Sequence, residues 1–266
     1  MKRLIGLFLL IFGISYSNTL ILTSGKYQTY IQQEEFMIAE GENIIGPISL
    51  LPIAVVDAVD VSADNLSIKR LIIEKTSQDW KKNLLGKFVT VEGEGRVIRG
   101  TVISIDDRYI TISGKKGFIV TTIPEFSSRI SSHLRWEELF SPQLTLKVNS
   151  QEARTQIFKV SYPIKGIKWK ISYILKIRNG LKILKGYILI DNNTPVDFKR
   201  INLVINGKIK KTFKDMAIPP FTQKRIEFMK RQIQSADDLK DIPIGYVHIY
   251  KNGVYKTSKR LSDVFR

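Results

Sequence analysis

Apolar and polar residues trade places every second position in short runs from Leu20 onward, and Gly, Asn, Asp and Pro separate those runs. A period of two places successive side chains on opposite faces of an extended strand. Residues 20–23, 27–32 and 34–39 read as strands, the last closed by the turn-prone Glu40-Gly41-Glu42-Asn43. Residues 44–48 and 66–74 continue the series with many β-branched side chains, which favour strands. One short helix interrupts: Ser77 is the expected cap, Asp79 falls in the first turn, Trp80 and Leu84 share a face, and Gly86 is the stop.

Residues 87–123 form a distinct unit of strands at 88–91, 96–105, 109–113 and 118–123. Gly100 marks an expected bulge or bend, and Asp106-Asp107-Arg108 and the 114–117 segment mark turns. Short strands with tight turns predict a small SH3-like barrel. Residues 134–140 read as a turn or two of helix before Pro142. Strands resume at 144–148, 156–162, 167–178, 181–190, 202–205 and 208–213, with Asn206-Gly207 the strongest hairpin signal. After Pro219-Pro220, Ser235 and Asp238 have capping-box spacing, and 245–250 with 254–258 form a last hairpin. The expected architecture is mainly β: sandwich-like sheets with a small SH3-like barrel insertion and one or two short helices. Its segments are a leader (1–17), an N-terminal β region (18–86), the barrel-like insert (87–123), a sandwich region (124–218) and a C-terminal hairpin region (219–266).

The leader is read from order, not from periodicity. Lys2 and Arg3 precede the uncharged apolar run at 4–13, and Ser15-Tyr16-Ser17 places small residues where a signal peptidase acts. That sequence of regions is secretory, and the apolar run is too short to span a bilayer of about 30 Å. Export to the periplasm or the exterior is the expectation, with cleavage before Asn18 or retention at the membrane. The chain has no cysteine, which removes thiol nucleophiles and Cys-based metal sites. Its net charge of +17 favours acidic partners such as glycan, lipid headgroups or nucleic acid, of which export makes nucleic acid the least accessible.

The run Val160-x-Tyr162-x-x-x-Gly166-x-x-Trp169-x-x-x-Tyr173 resembles the signature of a bacterial family of unknown function, the mucoidy-inhibitor-A-like family. The 84–91 stretch (LLGKFVTV) and the 100–105 stretch (GTVISI) are similar to that family as well. The resemblance covers most of residues 20–210 and implies an exported β protein, here with a shortened C-terminal region. It implies no activity.

Tyr162, Trp169 and Tyr173 read as core aromatics where strands pass from one sheet to another, with Gly166 permitting the bend. The competing reading of those rings is a carbohydrate- or peptide-binding platform. Lysines at 165, 168, 170, 208 and 210 are the candidates for holding an acidic ligand; Lys168 and Lys170 share one strand face. His133 and His248 stand far apart without ligand spacing, and no catalytic motif occurs. The glycines at 93, 95 and 100 run into a β-branched strand, not a helix N-terminus, so phosphate-loop logic fails. Asp106-Asp107 and Asp237-Asp238 are adjacent acids in turns. The leading expectation is therefore a non-catalytic envelope protein without cofactor or metal, joining another envelope protein or itself through sheet edges. The alternative is a module for acidic polymers built on Lys165, Lys168, Lys170, Lys208 and Lys210. A cell-wall hydrolase with dispersed carboxylates comes third.

Overall fold

A computed structural model describes residues 17–264 except 94, 116 and 124–128. The leader therefore lies outside the described residues, apart from Ser17. The strands are β1 (Thr19–Leu22), β2 (Gln28–Ile38), β3 (Gly41–Ser49), β4 (Asp60–Ser62), β5 (Ser67–Glu74), β6 (Phe88–Gly93), β7 (Arg96–Ile105), β8 (Tyr109–Gly114), β9 (Gly117–Thr122) and β10 (Arg129–Ser131). They continue as β11 (Gln143–Ser150), β12 (Arg154–Ile164), β13 (Ile167–Arg178), β14 (Leu181–Asn192), β15 (Phe198–Asn206), β16 (Lys210–Ile218), β17 (Thr222–Gln232), β18 (Tyr246–Lys251) and β19 (Val254–Arg260). Two helices of one turn each, α1 (Trp80–Asn83) and α2 (Trp136–Leu139), complete a mainly β chain. Among the described residues, no helix is long and apolar enough to cross a membrane.

Four sheets result. A six-stranded sheet runs β16-β15-β1-β2-β12-β4, and a three-stranded one runs β3-β11-β5. The C-terminal sheet runs β17-β14-β13-β18-β19, and the small sheet runs β10-β6-β7-β8-β9. Leu20, Tyr30, Phe158 and Leu203 of the six-stranded sheet share one core with Ile45 and Leu146 of the three-stranded sheet and Ile188 and Ile190 of the C-terminal sheet. Face-to-face burial of this kind is consistent with a β-sandwich. The other half of the C-terminal sheet covers a second core of Tyr173, Leu175, Leu184, Ile242 and Val247.

The small sheet has a core of its own, built from Val89, Val91, Val102, Ile110 and Ile112 with Leu84 and Leu139 from the helical turns. Its strands follow one another and β10 folds back onto β6, as a small barrel requires. No ladder joins β9 to β10 among the described residues, so the unit is an open sheet where a barrel was expected. The inserted unit is also longer than residues 87–123. Gln143 of β11 pairs directly with Glu74 of β5, so everything between them leaves the three-stranded sheet and returns to the same point.

Local differences from the expected pattern have physical causes. Residues 28–38 form one strand, β2, in place of two: Gln32, mid-strand and buried, has its amide satisfied by Ser49 O at 3.1 Å and the Tyr162 hydroxyl at 2.6 Å. Gly100 is not a bulge: it pairs squarely with Val89, and the register shift falls between Val102 and Ser104. A Cβ at Gly100 would stand 2.0 Å from Ser113 O, so glycine serves close strand approach there. The two-residue hairpin turns are Asn179-Gly180 and Asn252-Gly253, both with positive φ at each position. Asn206-Gly207 instead opens a three-residue loop, because Ile209 turns back into the core. Helix α1 is capped by Asp79 in place of Ser77, whose hydroxyl accepts from Asp79 N at 3.1 Å.

Candidate binding face on the C-terminal sheet

The signature residues come together as structural anchors, each with its polar tip tied across the molecule. The Tyr162 hydroxyl donates to Gln32 Oε1 at 2.6 Å and accepts from Leu51 N at 3.1 Å. Trp169 Nε1 donates to Thr23 O at 2.6 Å, linking the C-terminal sheet to the turn after β1. The Tyr173 hydroxyl donates to Pro243 O at 2.7 Å, and its ring fits between Gly186 and Gly245, where a Cβ would come within 3.1 and 2.8 Å. Gly166 has φ +82°, and a Cβ there would meet Thr194 Cγ2 at 2.3 Å. Burial drives the phenols of Tyr162 and Tyr173 well above the usual range and that of Tyr30 to about 12, so all three stay neutral. Tyr162→Phe keeps the ring but orphans Leu51 N–H and Gln32 Oε1. It is expected to cost about 1–3 kcal/mol in urea unfolding.

The lysines divide. Lys168 and Lys170 alternate with Trp169 along β13 and so project from the opposite, solvent-exposed face of the C-terminal sheet. Lys165 sits in the exposed β12–β13 turn, while Lys208 and Lys210 lie on the β15–β16 hairpin of the six-stranded sheet. None of those three lies on a strand of the C-terminal sheet.

Register across five strands composes that face in rows. Lys168 stands beside Asp191 and Gln223, and Lys170 beside Leu189 and Arg225. Ser172 lies between Tyr187, backed by Glu227, and Tyr246, backed by Arg260. Ile174 lies between Lys185, backed by Lys230, and His248, backed by Ser258. Lys176 lies between Ile183 and Tyr250, with Tyr255 beyond. Basic side chains thus gather on β13, β14 and β17, and tyrosines on β18 and β19.

The acids on this face are already engaged. Glu227 accepts from Lys185 at 2.8 Å and is held below the usual carboxylate range by it; Asp191 accepts from Gln223 at 2.6 Å. Lys168, Lys170, Lys176, Arg178 and Lys230 form no ion pair among the described residues. Arg225 lies over the Tyr187 ring at 5.3 Å, a cation–π contact. The result is a cationic strip bordered by aromatic rings. Sequence reading found Lys168 and Lys170 but missed the tyrosines, because parallel pairing of β13 with β18 joins positions far apart in the chain.

The other candidate chemistry is dispersed. Among the described residues, no three His, Asp or Glu side chains converge. Asp106 accepts from the backbone of Arg108 and Tyr109 within a turn, Asp107 pairs with Lys81 at 2.6 Å, and Asp238 caps a 3-10 turn. A groove of about 480 Å³ beside α1, β10 and α2 is lined mainly by Trp80, Leu84, Ile130, Leu134 and Trp136. Its arginines are engaged, Arg129 by Glu92 at 2.7 Å and Arg135 by Glu138 at 2.9 Å.

The fold and face define a layered, mainly β protein with an inserted small sheet and one cationic, tyrosine-bordered surface. No family model matches the chain, and no curated protein or solved structure matches it.

Proposed function

We propose that this chain is an exported, non-catalytic module of a bacterial cell envelope that holds an acidic polymer on the outer face of its C-terminal sheet. The observation that carries the reading is the row of unpaired cations, Lys168, Lys170 and Lys176, on one strand face beside Arg225 and Lys230. Unpaired lysines on a flat sheet attract extended polyanions and gain affinity by releasing counterions. The secretory order of the leader supports an envelope location, and so does the resemblance to the mucoidy-inhibitor-A-like family. Binding to dextran sulfate, measured at 50 and 200 mM salt, is expected to weaken at least tenfold at about the higher concentration. Salt-independent binding, or none, would sink the reading.

A second reading, assembly through a sheet edge, is favoured by β9. Edge strands β16, β17 and β19 carry lysines or arginines, which discourage pairing with a further strand. Strand β9 pairs only with β8 among the described residues, and it exposes Phe118, Ile119 and Val120 without a charge. Such an edge is suited to β-augmentation. Self-pairing predicts a dimer or larger species in sedimentation equilibrium that Val120→Lys converts to a monomer; a monomeric parent chain removes it.

A further inference from the structure

We infer that the β18–β19 hairpin carries a sugar-ring subsite, which makes the polymer held by this face an acidic polysaccharide; the inference rests on the polymer-binding reading above. Tyr250 and Tyr255 meet edge to face, with ring centroids 5.7 Å apart and planes at 68°. Tyr255 is 53% exposed. Its hydroxyl lies 2.9 Å from Ser258 Oγ, which in turn lies 2.6 Å from His248 Nδ1. One exposed ring thus stands beside a fixed series of polar tips.

That combination fits a pyranose. A sugar ring offers an apolar C–H face that suits an aromatic ring, and a rim of hydroxyls that needs directional donors and acceptors. Single-stranded nucleic acid instead asks for successive flat rings on which bases stack, and an edge-on pair does not supply them. A lipid surface asks for apolar side chains projecting past the cations. Here the exposed aromatics of β18 and β19 are tyrosines, whose hydroxyls are polar.

The acidic part of the ligand follows from the neighbouring strand. Lys176 is the parallel partner of Tyr250, one strand spacing of about 4.8 Å away. A uronate carries its carboxylate on the ring carbon beside the ring oxygen. A ring seated on the tyrosines therefore brings that carboxylate toward Lys176, and the next units continue toward Lys170 and Lys168.

The test is binding of the purified chain to polygalacturonate, with poly(dT), phosphatidylglycerol vesicles and neutral dextran in parallel. Polygalacturonate is expected to bind tightest. Tyr250→Ala with Tyr255→Ala is expected to weaken it about tenfold, leaving weak poly(dT) binding unchanged. Tighter binding to poly(dT) or vesicles, or a tyrosine variant equal to the parent, removes the sugar subsite. If salt-sensitive binding to any polyanion persists in that case, the polymer face survives; if the parent chain binds none of them, that reading falls too. Should the double variant unfold, Tyr255→Phe, which deletes only the hydroxyl facing Ser258, is expected to weaken polygalacturonate about threefold. An unchanged affinity there overturns the subsite.

Discussion

Asn192→Leu is expected to destabilise the chain by about 4 kcal/mol, the largest stability loss of any single substitution considered. Asn192 is fully buried at the end of β14, where the chain crosses from the C-terminal sheet to the six-stranded one. Its amide donates to the carbonyls of Val196 and Pro219, both at 2.8 Å, and of Ile218 at 3.3 Å. Its carbonyl accepts from Thr194 N at 3.1 Å and from the Thr194 hydroxyl at 2.6 Å. Leucine fills the volume but orphans groups that water cannot reach. Each such group costs about 1–3 kcal/mol, and together they exceed the gain in apolar burial. Urea unfolding at constant m-value measures the loss. A change below about 1 kcal/mol would show that the crossover is held elsewhere.

The second large effect concerns binding. Reversing three charges in Lys168→Glu, Lys170→Glu, Lys176→Glu is expected to lower affinity for a uronate or sulfated polymer about a hundredfold at 50 mM salt. These lysines are exposed and have no ion pair to lose, so the unfolding midpoint is expected to stay within about 0.5 kcal/mol of the parent. The same reversal at Lys165, Lys208 and Lys210, which lie outside the strands of that sheet, is expected to change binding little. Equal losses from both triples would trace the effect to net charge rather than to the face.

Strand positions were legible because burial on one face imposes a period of two, and because Asn-Gly pairs and glycines punctuate the turns. The anchors were legible too: Tyr162, Trp169 and Tyr173 read as core residues, and each is tied to a carbonyl or amide across the fold. Three features were not readable. Gln33 inside β2 reads as a break, since the polar run from Gln32 to Glu35 gives no sign that Tyr162, far along the chain, will satisfy the buried Gln32. The expected barrel closure depended on a ladder between β9 and β10, and strand count does not specify which edges meet. The tyrosine half of the binding face depended on parallel pairing of β13 with β18, for which local pattern carries no signal.

The direct pairing of Glu74 with Gln143 has a kinetic consequence. In space β5 and β11 form a hairpin; along the chain they are a distant contact, with the whole inserted unit as the loop. Closing that loop while it is unstructured costs entropy that grows with the logarithm of its length. Once the insert has formed its own core, its two ends leave side by side, with Thr76 Oγ donating to Phe140 O at 2.9 Å, and most of that cost is already met. The small sheet is therefore expected to form early in folding, and the ladder it brings together late.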